Sequence, residues 1–268
     1  PPPVASAAAG SPGAPGPHRP LPGPPVGERS PTAGGGRGVV HSPPAPLVGR
    51  DAEWAALLDA YAAVGPDGRL VVLEGEAGIG KTRLAAELAD HVRSLGASVV
   101  TGRCYEEEAG VAYGPFIEGL RGALAGAAGA AGAAGSPRPL EGVPRHWLAE
   151  ARRLLPELVE AFPDLPDPGP LDGPAAGRQF FEGVSQVLLA ACAGPVPGVL
   201  VLDDLHLADE ASLDILAYLV HRLRGRPLLV VACWRSEQVP ADARLRRLAA
   251  GARRAGQARI ITLRRLDA

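Results

Sequence analysis

Apolar residues along this chain fall into two rhythms, short unbroken runs and longer stretches with three- or four-residue spacing, and both begin only after a long front segment. Within Asp51 to Val64, Trp54, Leu57, Leu58 and Tyr61 recur at helical spacing, and Leu70 to Leu73 is a short apolar run of β type. A helix followed by a strand is predicted there. Leu84, Leu88, Val92 and Leu95 share one face of Lys81 to Leu95, and Ala97 to Thr101 reads as the next strand. Pro115 to Ala128 and His146 to Phe162 read as helices, separated by prolines and a Gly/Ala tract that ends near Gly135. Ala175 to Ala193 predicts a longer helix, Val199 to Leu202 a buried strand, and Asp209 to Leu223 another helix. Leu228 to Cys233 is a second unbroken apolar strand, Ala241 to Ala255 a basic surface helix, and Arg259 to Leu263 a last short strand. Strands alternating with helices predict an α/β fold, a parallel β-sheet of about five strands flanked by helices on both faces.

The front segment changes the domain picture. Residues 1–46 are dominated by Pro, Gly, Ala and Ser without periodic apolar positions, so they cannot bury enough surface to offset the entropy of ordering the chain. A disordered linker over 1–46 and one folded domain over 47–268 are predicted. Linkers of this composition join folded modules, and the chain holds no methionine, so a fragment of a longer protein is expected.

Charge and cysteine content narrow the function classes. With 27 basic and 29 acidic residues the formal charge is -2, which gives no global electrostatic reason for nucleic acid or an anionic membrane as a direct partner. Cys104, Cys192 and Cys233 are odd in number and lack CxxC spacing, so neither a disulfide framework nor a zinc site is indicated. A reducing cytoplasm is the expected setting. No apolar run reaches about 18 residues, so no membrane span is expected. Of the 27 basic residues, Lys81 is the sole lysine. A compact ammonium is kept at one position where a forked guanidinium would not fit.

That lysine lies in G-x-x-x-x-G-K-T, formed by Gly75, Glu76, Ala77, Gly78, Ile79, Gly80, Lys81 and Thr82, directly after an apolar strand and directly before an amphipathic helix. Strand, Gly-rich turn and helix are the context a P-loop requires. Its glycines let backbone amides turn inward around phosphate oxygens, and the helix adds its unpaired amino-terminal amides and the positive end of its dipole. Lys81 is expected to reach the β- and γ-phosphates of ATP, and the Thr82 hydroxyl to bind Mg²⁺.

The run Val199-Leu200-Val201-Leu202 ends in Asp203 and Asp204. Two acids at the carboxyl end of a buried strand need a cationic partner, so Asp203 is assigned to Mg²⁺ and Asp204 to orienting and deprotonating the attacking water. Arg235, three residues beyond Leu228 to Ala232, would reach the same sheet edge and could stabilise charge at the γ-phosphate. Its plainer reading is a surface arginine. For His206 a loop histidine without a catalytic role is the better reading, and for Cys104 an inert thiol. Glu106, Glu107 and Glu108 read as a solvated charge run.

Taken together, L-V-G-R-D-A-E at Leu47 to Glu53, the P-loop, V-L-V-L-D-D-L-H-L-A-D at Val199 to Asp209, and L-L-V-V-A-C-W-R at Leu228 to Arg235 resemble a known family. They are similar to the AAA-type ATPase domain of STAND signalling ATPases, found in large LuxR-type and SARP-type bacterial transcriptional regulators. The resemblance covers about Pro46 to the carboxyl terminus. It implies that Val48 and Arg50 contact the base or phosphates, and that Arg235 is the family's strand-end arginine. Leu207 departs from the commoner D-D-x-H-W-A-D pattern, which has tryptophan there. The resemblance further implies slow hydrolysis of ATP to ADP and phosphate in a regulatory switch, nucleotide-dependent self-association, and DNA contact only through domains outside this chain. Two rivals stay open: an ATPase module attached to a nucleotide cyclase, and an origin-recognition-like AAA+ machine.

Overall fold

The computed structural model describes residues 48–107, 111–130 and 140–266, with side chains described for all of these except 126–130. The linker expected over 1–46, Leu47, Glu108 and the end of the Gly/Ala tract lie outside the described residues. Helices α1 (Asp51–Ala62), α2 (Lys81–Ser94), α3 (Gly114–Ala130), α4 (Arg145–Ala151), α5 (Leu158–Ala161), α6 (Gly173–Ala191), α7 (Glu210–Val220) and α8 (Arg244–Arg254) alternate with strands β1 (Arg69–Gly75), β2 (Val99–Arg103), β3 (Gly198–Asp203), β4 (Leu228–Arg235) and β5 (Ala258–Thr262). The strands form one sheet in the order β2-β3-β4-β1-β5, with every pairing parallel.

Strand position in the sheet explains the two kinds of apolar pattern. The interior strands β3 and β4 are buried along nearly their whole length, which matches their unbroken apolar runs. The outermost strands β2 and β5 mix buried with exposed positions. Side chains alternate between the two faces because the strand period is two. Val71, Leu73, Val201 and Val231 pack with Leu57 of α1 and Leu84 and Leu88 of α2. Leu70, Val72, Leu202 and Val230 pack on the opposite face with Phe116 of α3, Phe180 and Leu188 of α6, Leu216 of α7 and Leu245 of α8. Helices therefore cover both faces, and each fully buried Leu or Val contributes about 1.5–3 kcal/mol.

One predicted helix is corrected. His146 to Phe162 is not continuous: α4 stops at Ala151, turns follow, and α5 covers only Leu158–Ala161. Pro156 has no amide to donate and biases Leu155 away from helical backbone, while Leu154, Leu155 and Leu158 stay buried and preserve the apolar spacing. Periodicity survived where the hydrogen-bond ladder did not. Similarly, α8 begins at Arg244 rather than Ala241, after a turn in which the Ala243 amide donates to the Pro240 carbonyl at 3.0 Å.

Candidate functional site

In a parallel sheet every strand delivers its carboxyl end to one edge, where the connections into the following helices lie. The end of β1 and the start of α2 are joined there by Glu76 to Gly80. Gly78 and Gly80 have φ of 71° and 101°, a backbone region that strains any L side chain. Their surroundings are open, so backbone conformation rather than crowding requires glycine. Lys81 is buried, and its Nζ donates to the carbonyls of Gly75 at 2.9 Å and Glu76 at 2.8 Å. Burial pushes the Lys81 ammonium below its usual pKa, with Glu237 the foremost charge acting the other way. Thr82 is exposed at the first turn of α2.

Asp203 closes β3 and is 4% exposed. Its Oδ1 accepts from the Asp204 amide at 3.0 Å, while Oδ2 is buried without a partner. Asp204 leaves the strand with φ of 53°, a left-handed turn that aspartate tolerates better than most residues. Its Oδ2 accepts from Arg103 Nε at 3.0 Å and Nη2 at 2.7 Å, and this pairing holds the Arg103 guanidinium above its usual pKa. The 3-10 turn Leu205–Leu207 follows, and then Asp209 caps α7 by accepting from the Ser212 amide at 2.9 Å. The His206 side chain is 1% exposed and both its ring nitrogens are unpartnered, with Nδ1 3.9 Å from Asp204 Oδ1. Burial lowers its pKa and favours the neutral ring, partly opposed by Asp204.

Register places Arg235 directly beside Gly75 across the β1–β4 pairing. A cavity of about 270 Å³ is bounded by Gly78, Gly80, Lys81, Thr82, Arg83, Arg103, Asp204 and Arg235. Strand order thus brings together four P-loop positions, the second acid and the strand-end arginine. Asp203 lies buried at the end of the same strand. Val48 and Arg50 are not among the lining residues: Val48 is 73% exposed, and Arg50 donates to the Ile79 carbonyl at 3.0 Å and to Glu53 at 2.8 Å. Arg50 braces the P-loop from outside the cavity.

Three residues here were not singled out from the sequence. Arg103 comes opposite Asp203 only because β2 pairs with β3. Glu237 Oε1 accepts from the P-loop amide of Ala77 at 3.0 Å. Glu74 accepts from Arg246 at 2.9 Å, Trp234 at 3.3 Å and Thr262 at 3.0 Å, tying β4, β5 and α8 together under the P-loop. A charged residue at the last position of β2, as at the ends of β3 and β4, was the available signal for Arg103, and no signal marked the other two. Cys104 is buried and its thiol is pushed up to about 12 by burial, which leaves it inert.

The AAA ATPase domain family model matches residues 46–231, more than half of the chain. The chain belongs to the AAA ATPase domain family, a family of nucleotide-binding ATPases. The matched span contains α1, the P-loop, Asp203 and Asp204, and ends inside β4, so Arg235, Glu237 and β5 fall beyond it. No curated protein matches the chain. Among the described residues, no helix is long and apolar enough to cross a membrane.

Proposed function

We propose that the chain binds ATP with Mg²⁺ at the carboxyl edge of its sheet and acts as a slowly hydrolysing regulatory switch within a larger bacterial transcriptional regulator. The observation that carries the binding reading is that Lys81, Thr82 and Asp204 border one cavity, while the adjacent Asp203 keeps one oxygen buried and unpartnered. A buried carboxylate oxygen in that state is costly unless a cation or donor meets it. Asp203 and the exposed Thr82 hydroxyl therefore fit Mg²⁺ and would hold it. Bound there, Mg²⁺ would supply charge neutralisation for the phosphates.

The chain's own groups divide the rest. The amides of Gly78 to Thr82 would wrap phosphate oxygens, and Lys81 would exchange its two loop carbonyls for the β- and γ-phosphates. Asp204 would orient the water and take its proton. Arg103 holds two donors, Nε and Nη2, on the one oxygen Oδ2, which leaves Oδ1 for the water. Arg235 would stabilise negative charge developing on the transferred group.

The switch reading rests on resemblance to regulators that carry the same motif order, with DNA contacted by other domains and ATP favouring a self-associated state in the cytoplasm. The test is calorimetric titration of ATP with Mg²⁺ into the wild type and Lys81→Ala, with sedimentation of the same samples. Lys81→Ala is expected to weaken ATP by at least about tenfold, roughly 1.4 kcal/mol, and to lose any ATP-dependent self-association. Equal affinities would remove the binding reading. Sedimentation that is identical in ATP and in ADP would remove the switch.

A further inference from the structure

Glu237 stands on the 3-10 turn Ser236–Gln238, two residues beyond Arg235, and is exposed to solvent. Its carboxylate nevertheless reaches back to the P-loop, where Oε1 accepts from the Ala77 amide at 3.0 Å and Oε2 from Ser236 Oγ at 3.3 Å. The turn that presents it is braced. Arg246 donates to the Ser236 carbonyl at 3.1 Å, to the Val239 carbonyl at 2.8 Å and to Glu74 at 2.9 Å.

No packing demand calls for an acid at this position. Ala77 is itself exposed, so water would satisfy its amide, and Glu237 is exposed as well. What the carboxylate does is place negative charge on the strand side of the P-loop. Lys81 is bent towards that side, onto the carbonyls of Gly75 and Glu76, the two residues preceding Ala77. Glu237 is the foremost charge acting on that ammonium. The helix-side amides and the helix dipole serve the inner phosphates, whereas Lys81 reaches the β- and γ-phosphates and so meets the extra charge of a triphosphate. An acid whose charge acts on Lys81 therefore opposes most the ligand that brings the most negative charge to that ammonium, because like charges in a confined site repel.

On the basis of the nucleotide-binding reading above, we infer that Glu237 is a phosphate-count selector: its carboxylate on the Ala77 amide beside Lys81 disfavours a nucleoside triphosphate relative to a diphosphate until the Ser236–Gln238 turn withdraws. The terminal phosphate and the carboxylate compete for one ammonium. A diphosphate, one phosphoryl shorter, brings less negative charge to that ammonium and competes less with the carboxylate. Displacing the turn also moves Arg235, its immediate neighbour, so the device couples nucleotide state to the end of β4.

The experiment titrates ADP and a non-hydrolysable β,γ-imido ATP analogue, each with Mg²⁺, into the wild type, Glu237→Gln and Glu237→Asp. Glu237→Gln should tighten the triphosphate about fivefold or more, roughly 1 kcal/mol, while ADP changes less than about twofold. Glu237→Asp keeps the charge on a shorter arm and should fall between. Raising salt from about 0.05 M to 0.5 M should shrink the difference between wild type and Glu237→Gln in their triphosphate-to-diphosphate ratios, because the charges shared by both proteins are screened alike. A purely structural role would instead lower the thermal midpoint and move both ligands alike, and that result overturns the inference. An unchanged triphosphate-to-diphosphate ratio, with ADP still bound, overturns it while leaving the nucleotide site standing. Failure of the wild type to bind either ligand overturns both.

Discussion

At the amino edge of the sheet a cavity of about 430 Å³ opens beside Val143, Leu189, Cys192, Val196 and Leu228, while the cavity at the carboxyl edge measures about 270 Å³. The larger one is walled mainly by apolar side chains and glycines, and Arg226 is its single charged residue. The smaller gathers Lys81, Arg83, Arg103, Asp204 and Arg235. Volume therefore fails to locate the chemistry, and strand direction succeeds. All five strands run the same way, so the start of α2 and the ends of β2, β3 and β4 meet at one edge.

The edges also differ in how fully they are satisfied. Among the described residues four buried side-chain atoms lack a partner, and three of them, Asp203 Oδ2 and both His206 nitrogens, lie at the carboxyl edge. Asp204 adds a left-handed backbone turn there. Backbone crowding does not separate the edges, since a Cβ on Gly102 near the end of β2 would stand 1.8 Å from the Pro115 carbonyl oxygen. At the amino edge a Cβ on Gly198 would stand 2.0 Å from the Cys192 carbonyl oxygen. The unsatisfied groups, not backbone crowding, set the carboxyl edge apart, as expected where a site keeps groups unsatisfied for a ligand.

The largest effect that could break this division lies at Asp204. Asp204→Asn should keep Mg-ATP affinity while lowering phosphate release about 100-fold, since a positioned base contributes 10² or more. Release at the wild-type rate would strip Asp204 of the role. Next comes Gly198→Ala, which forces a methyl group into the Cys192 carbonyl and should cost about 2 kcal/mol in urea unfolding with ADP affinity unchanged. An unaltered urea midpoint, or a shifted affinity, would show the edges to be less separate than drawn.

The smallest effect is a pH slope from His206. Its folded pKa lies below the usual 6.5 of a free imidazole because burial favours the neutral ring, so at intermediate pH the unfolded chain binds more protons. Stability is then intact above about pH 6.5 and is lost as pH falls from there towards the folded pKa. Unfolding followed from about pH 7.5 down to 5.5 should show this decline in the wild type and a flatter profile in His206→Gln. Parallel profiles would mean that the ring is not held neutral by the fold.

The fold class was legible because burial leaves its period in the sequence. Unbroken runs at Val199 to Leu202 and Leu228 to Cys233 marked strands covered on both faces, and the helical spacing of Leu84, Leu88 and Val92 marked α2. The misread stretch, His146 to Phe162, kept apolar spacing across a break that Pro156 announces but periodicity conceals. P-loop chemistry was legible for a different reason. Its residues are consecutive, so Gly75 to Thr82 carry their geometry in local backbone requirements, as the φ of Gly78 and Gly80 shows.

Local sequence by itself determined the strand–loop–helix unit around Lys81, the buried strands and the pair of acids, because each depends on neighbours within a turn or two of chain. Only the tertiary structure decided which side chains meet across the sheet edge. Arg103 reaches Asp204 from 101 positions away, and Glu237 reaches Ala77 from 160. Both meetings follow from strand order, β2 beside β3 and β4 beside β1, which is set by how the helices cover the two faces together. Pairing order is a property of the whole packed core, and no single stretch of this sequence encodes it.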